Sequence, residues 1–308
     1  MNFGDQSAAF LNQITTRKRK PVKPATVRMY SAHIRNWIVP RLGAVDLADF
    51  NNGAMKRFVE SLTGDLGPSS IGQVVALAKK IVASAVGPEG DLLYPRTWNA
   101  EFIDLPTVPK RHGAVPTQDQ LTAAMGPGSP YRKFWALLAG TGLRIGEALA
   151  VRRGYREGLT SWDPERSLIS VRTSIYMGRE QSPKTPAAIR DIDLDPQLNQ
   201  LLAPVPLAGD LLFSTIPGGF LSTSDMRLRF LDPLGIQGFH SFRRFRMTHL
   251  RMVSAPEELL RYWMGHASTD WTHDRYSTAY ENIQFRKTWA EKVGLGFSLP
   301  QIERRIDA

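Results

Sequence analysis

Four separated stretches of this 308-residue chain carry the side chains able to do chemistry together. TGLRIGEALAV, from Thr141 to Val151, is a largely apolar helix start that nonetheless holds Arg144 and Glu147. A guanidinium is expensive to desolvate unless an anion meets it, so Arg144 pairs either with Glu147 or with an anionic ligand. Lys184 lies in the polar turn of SPKTPAAIRDI, and HSFRRF sets His240 and Arg243 three apart, on one face of a helix. YWMGHASTDWTHDRYS adds His266 and Tyr276. Arginines offer a planar fork of donors and stay charged, which suits a transition state gathering negative charge on oxygens. A tyrosine becomes a nucleophile when its proton is removed as it attacks, and lysine and histidine can move protons. Taken singly, each has an ordinary structural reading: a helix ion pair, a hairpin lysine, a helix cap, a turn residue, a core tyrosine.

The elements that must position these groups read as mainly α with a small antiparallel β-sheet. In the first third, Val27, Tyr30, Ile34, Trp37 and Ile38 recur at helical spacing, and Pro40 with Gly43 is expected to end that helix. Met55, Phe58, Val59 and Leu62 form a second stripe. PSSIGQVVALAKKIVASAVG is the clearest helix, with Ser70 and Gln73 at capping-box spacing and Gly87-Pro88 as its stop. Leu105 to Thr117 reads as an extended linker, and Thr117 with Gln120 as the cap of a new helix. The expected domains are therefore 1–112, all-helical, and 113–308, mixed α+β. In the second, SLISVRTSIYM and AAIRDIDLD are β-branched runs around a polar turn, flanked by helical patterns. Past Tyr276, Phe285, Trp289 and Val293 recur every four residues, predicting a helix that docks either on its own domain or on a neighbouring protomer.

The net charge of +10 favours a polyanionic partner, nucleic acid first and an anionic membrane surface second. Residues 1–112 carry +6 of it. Arg17, Lys18, Arg19, Lys20 and Lys23 put five basic residues in seven, a candidate phosphate-contacting arm. No apolar run approaches the roughly 18 residues of a membrane span, the N-terminus lacks the order of a secretory signal, and there is no cysteine. These point to a cytoplasmic, nucleoid-associated protein. No clustered Asp/Glu/His set provides metal ligands, which argues against a metal-dependent nuclease.

Arg in TGLRIGE, Lys in a hairpin, His-x-x-Arg, Gly-His and then Tyr, in that order, resembles the tyrosine recombinase (phage integrase, Xer-like) family, and the resemblance covers both halves of the chain. Two details depart from the family pattern: Met264 stands where Leu is usual before Gly-His, and Tyr276 follows His266 by ten residues where nine is typical. Tyr280 is the nearby rival nucleophile. The resemblance implies a helical core-binding domain, a linker and a catalytic domain that cleaves and rejoins double-stranded DNA through a 3′-phosphotyrosine and a Holliday junction. It implies a homotetramer on synapsed sites, no metal or other cofactor, and accessory directionality factors as further partners. Arg144 and Arg243 would hold the scissile phosphate, Tyr276 attack it, and Lys184 protonate the departing 5′ oxygen. His240 would accept a proton or donate to the phosphate, His266 bind phosphate or position the nucleophile, and Glu147 orient nearby donors. A type IB topoisomerase, or a non-catalytic DNA-binding protein of recombinase descent, are the alternatives.

Overall fold

The computed structural model describes residues 1–19, 21–109, 113–183, 185–203, 209–215, 219–266 and 279–299. The chain divides into two compact units, Met1–Arg111 and His112–Ala308.

The first unit is helical: α1 (Phe3–Thr16), α2 (Pro24–His33), α3 (Val39–Leu42), α4 (Asn52–Leu62), α5 (Pro68–Ala83) and the short α6 (Ala100–Ile103). Its core gathers Phe3, Ile38, Leu47, Phe50, Met55, Leu62, Val74 and Ile81. The α4 stripe of Met55, Phe58, Val59 and Leu62 is buried as its spacing requires. Helix α1 had no such signal, because polar Gln6 and Ser7 fill the buried positions between Phe3 and Phe10. The segment that begins at Pro24 runs through Pro40 and ends at Gly43, the C-cap of α3. A π-helical turn, Ile34–Ile38, joins α2 to α3, with Val39 N donating to Ile34 O. Proline lacks an N–H and its ring crowds the carbonyl four residues back, and the wider turn relieves both. Helix α5 begins at Pro68 behind Gly67, so Ser70 and Gln73 lie inside the helix rather than capping it, and it ends at Ala83, before Gly87.

The second unit begins with α7 (Gln118–Ala124), whose Thr117–Gln120 capping box forms in both directions. Next come α8 (Arg132–Thr141), α9 (Ile145–Leu149), strands β1 (Arg152–Arg153), β2 (Ser161–Asp163), β3 (Leu168–Val171), β4 (Ser174–Tyr176), β5 (Arg179–Gln181) and β6 (Arg190–Asp193), then α10 (Pro196–Leu202), α11 (Thr223–Met226), α12 (His240–Met252), α13 (Glu257–Met264) and α14 (Ile283–Val293). The main sheet runs β1-β2-β3-β6. β3 pairs antiparallel with β6, Ile169 opposite Ile192, but β1 and β2 are parallel, so the sheet is mixed. SLISVRTSIYM is two strands, not one. Arg172 N and Thr173 N both donate to Thr160 Oγ1 instead of continuing the ladder, and β4 leaves to form a separate hairpin with β5. Helices α8 and α12 pack through Trp135 stacked on Phe242 at 5.7 Å. Helix α14 docks on its own unit: Ala290 and Val293 are buried, and Arg286 Nε donates to Asp193 Oδ2 at 2.8 Å. Among the described residues, no helix is long and apolar enough to cross a membrane.

Candidate active site

The α8–α9 corner presents Arg144. Gly142 caps α8 with φ of 68°, and a Cβ there would lie 2.8 Å from Met264 Cε. Arg144 then caps α9. Its backbone N donates to Glu147 Oε2 (3.0 Å) and its Nη1 to Glu147 Oε1 (2.8 Å). The two ends of this pair differ in kind, since the Arg144 side chain is 41% exposed and that of Glu147 only 5%. Beneath it lies Arg190 of β6, with its side chain fully buried. Arg190 Nη2 and Nη1 reach the two Glu147 oxygens at 2.9 and 3.3 Å. Burial alone would raise the Glu147 carboxyl, but the Arg190 charge and the hydrogen bonds from Arg190 and Arg144 hold it below the usual carboxylate range. Glu147 is thus a direct partner of Arg144 and of a second arginine. One carboxylate between two guanidiniums leaves a net positive charge, carried toward solvent on Arg144.

Arg243 arrives from α12, whose apolar face of Phe242, Phe245 and Leu250 is buried. It donates from Nη1 to Gly142 O (2.9 Å) and from Nη2 to Met264 O. Arg144 Nη2 meets the next carbonyl, Gly265 O, at 3.4 Å. The α8–α9 corner and the end of α13 are therefore tied together by the two arginines. Burial, then the charges of Arg144 and Arg190, bring Arg243 down to about 10, which leaves it cationic at neutral pH.

Both histidines lie in this positive field. His240, the first residue of α12, has its pKa lowered by burial and then by Arg243, Arg244 and Arg144. His266 is lowered by burial and then by Arg243, Arg144, Arg190 and Arg251. Both favour the neutral imidazole near pH 7, able to accept a proton at one nitrogen and donate at the other. His266 is aimed by the end of α13. Gly265 takes φ of 59°, with its N–H on Tyr262 O, and His266 N–H closes on Arg261 O. A Cβ on Gly265 would lie 2.9 Å from Arg190 Nη1, so both the left-handed backbone and the buried arginine require glycine before this histidine.

The structure thus brings Arg144, Glu147, His240, Arg243 and His266 into one site in the second unit. Lys184, Tyr276 and Lys20 lie outside the described residues. Tyr280 is described: its ring stacks on Tyr262 at 5.0 Å, and its carbonyl accepts from Arg286 Nη1 at 2.7 Å. Arg17, Lys18 and Arg19 are exposed where α1 ends, and Lys23 is the N-cap of α2, all in the first unit. Arg190 was missed from sequence. Its one signal is that it alternates in phase with buried Ile192 along β6, a position where an arginine needs an anion. Among the described residues, no group of three or more His, Asp or Glu side chains is placed to hold a metal ion.

No protein-family model and no curated protein sequence matches the chain. Solved structures do. The Tn1549 transposon integrase, residues 82–397 in complex with a circular intermediate DNA, superposes with a TM-score of 0.69 at 19% identity, covering 96% of this chain and 100% of that one. Residues 75–356 of lambda integrase, as a dimer bound to a COC′ core site, give 0.62 at 16% identity over 99% and 100% of the two chains. A lambda integrase tetramer bound to a Holliday junction gives 0.64 at 15% identity over 88% and 79%. The chain has the fold of the tyrosine recombinases.

Proposed function

We propose that this protein is a site-specific DNA recombinase that cleaves and rejoins strands through a covalent 3′-phosphotyrosine. The observation that carries this reading is the convergence of Arg144 and Arg243 on the Gly142 and Met264–Gly265 carbonyls, with two imidazoles beside them. Fixed guanidiniums stabilise charge growing on non-bridging phosphate oxygens without reorganising as the reaction proceeds. In this reading Tyr276 Oη bonds to phosphorus as the bond to the 5′ oxygen breaks. The phenol proton passes to His240, and Lys184 protonates the departing oxygen. His266 donates to the phosphate. The tyrosyl ester keeps the phosphodiester energy, so a 5′-hydroxyl from another strand reseals the DNA and frees the tyrosine. Tyr280, packed against Tyr262, is engaged in the fold instead.

The first unit, with Arg17, Lys18, Arg19, Lys20 and Lys23, would be the core-binding domain gripping the duplex. Four protomers on two synapsed sites would exchange strands through a Holliday junction, as the lambda integrase tetramer is found on one. The test is a suicide-substrate assay. Nicked duplexes, selected from a randomised pool by binding to the protein, are incubated in EDTA with wild type, Tyr276→Phe and Tyr280→Phe. A denaturation-resistant adduct lost only in Tyr276→Phe is expected. Loss only in Tyr280→Phe would move the nucleophile. No adduct from any protein on DNA it binds would favour a non-catalytic DNA-binding protein.

A further inference from the structure

We propose that Arg190 is a positioning residue for cleavage, acting through Glu147 to aim Arg144 and through the end of α13 to aim His266. This rests on the recombinase reading above and names a residue outside the set that touches the phosphate. Arg190 spends its donors on three segments at once: Nε on Trp263 O at 2.7 Å, Nη1 on Ala188 O at 2.9 Å, and Nη1 and Nη2 on Glu147. Trp263 lies three residues before His266, Glu147 is the anion that holds Arg144, and Ala188 lies four residues after Lys184. Arg144 also reaches both Glu147 and the Gly265 carbonyl, but it does so from a side chain 41% exposed, whereas Arg190 bonds Glu147 and the Trp263 carbonyl from a fully buried one.

The chemistry of this arrangement is specific. Glu147 alone cannot fix Arg144, because an exposed arginine paired with a mobile carboxylate samples many rotamers. Arg190 holds that carboxylate by both oxygens, and the planar fork fixes its plane as well as its position. The same guanidinium packs against the Gly265 backbone closely enough to exclude a side chain there. A displacement of about 1 Å in a catalytic group costs on the order of 100-fold in rate. A lysine at position 190 keeps the charge but cannot reach Glu147 and the Trp263 carbonyl in the same geometry.

The experiment uses the full chain on one nicked duplex selected from the randomised pool, with single-turnover adduct formation at saturating DNA and the DNA Kd measured separately. Arg190→Met, Arg190→Lys, Glu147→Gln and the double variant Arg190→Met/Glu147→Gln are compared with wild type. The expected result is a cleavage rate down about 10- to 100-fold in Arg190→Met, with the Kd within about threefold. Arg190→Lys should fall between it and wild type, and it also reports if the methionine variant does not fold. The double variant should be no slower than the worse single variant, because both act on one chain of contacts. In Arg190→Met the acid limb of the rate should also move to higher pH, since Glu147 then faces only Arg144 and the more distant Arg243. Wild-type rates in Arg190→Lys, or losses that multiply in the double variant, would overturn the proposal. Failure of wild type itself to form an adduct on DNA it binds would overturn the recombinase reading and the positioning role with it.

Discussion

Glu147 decides where Arg144 points, and its charge state decides whether it can. Its folded pKa is depressed, burial being outweighed by Arg190 and Arg144. A depressed carboxyl stabilises the fold fully above its unfolded value, near the ordinary 4.5, and loses that contribution as pH falls through the lower folded value. Glu147→Gln should therefore cost about 3–5 kcal/mol at neutral pH, mostly by leaving Arg190 buried without its anion. The gap to wild type should narrow as pH drops below 4.5. Urea midpoints of both proteins at neutral pH and near pH 4 check this, and a gap constant with pH would show that Glu147 is not held ionised by its arginines. Arg144, Arg243, His240 and His266 could be singled out because their types and order resemble the motif of a phosphate-cleaving family. Arg190 could not, because an arginine in a short β-run reads as surface until the strand's buried face is known. Glu147 was legible only as a helper; its link to a second arginine depends on β6 lying under α9.

At the scale of elements, three glycines separate propensity from packing. Gly72 of α5 has open space where a Cβ would go, so Gly72→Ala should stabilise by about 0.5–1 kcal/mol. Gly146 of α9 also has an ordinary helical backbone, but its Cβ would lie 2.8 Å from the Ile175 carbonyl of β4. There the same change should destabilise by about 1–3 kcal/mol, because a strand backbone cannot swing aside. Gly265→Ala adds a left-handed penalty of roughly 1–2 kcal/mol to its collision with Arg190. Thermal melts of the three variants should rank in that order, and equal effects at Gly72 and Gly146 would refute the close approach of α9 to β4. What the sequence made readable follows the same division. Helix α4, the α7 cap and the β3–β6 pair declare themselves through local patterns. The break at Arg172–Thr173 and the parallel β1–β2 pair were hidden, because each is settled by a partner in another segment, such as Thr160 reaching Arg172 and Thr173. The π turn before Pro40 was hidden because helical spacing does not register how the backbone widens to admit a proline.

For the whole molecule, charge and chemistry are divided between two cores. Of the net +10, +6 lies in residues 1–112, while Arg144, Arg243 and both site histidines belong to the second unit. Affinity for a phosphate backbone comes from released counterions, so each lysine or arginine that neutralises a phosphate adds about 0.9 to the slope of log K against log salt. Arg17, Lys18 and Arg19 are exposed side by side. If they grip the backbone, Arg17→Gln/Lys18→Gln/Arg19→Gln should lower that slope by up to about 2.7, measured on a random-sequence duplex between about 50 and 200 mM salt. Specificity among sequences should change little, since phosphates carry no base identity. Adduct formation at saturating DNA should keep its wild-type rate, because the triple variant alters how much DNA is held and not how the phosphate is attacked. A slope unchanged from wild type would show that the run is a solvated surface and that the positive charge serving DNA lies on the helices of the two units. A slowed rate at saturation would mean instead that the arm acts on the chemistry itself, through the path of the DNA it holds.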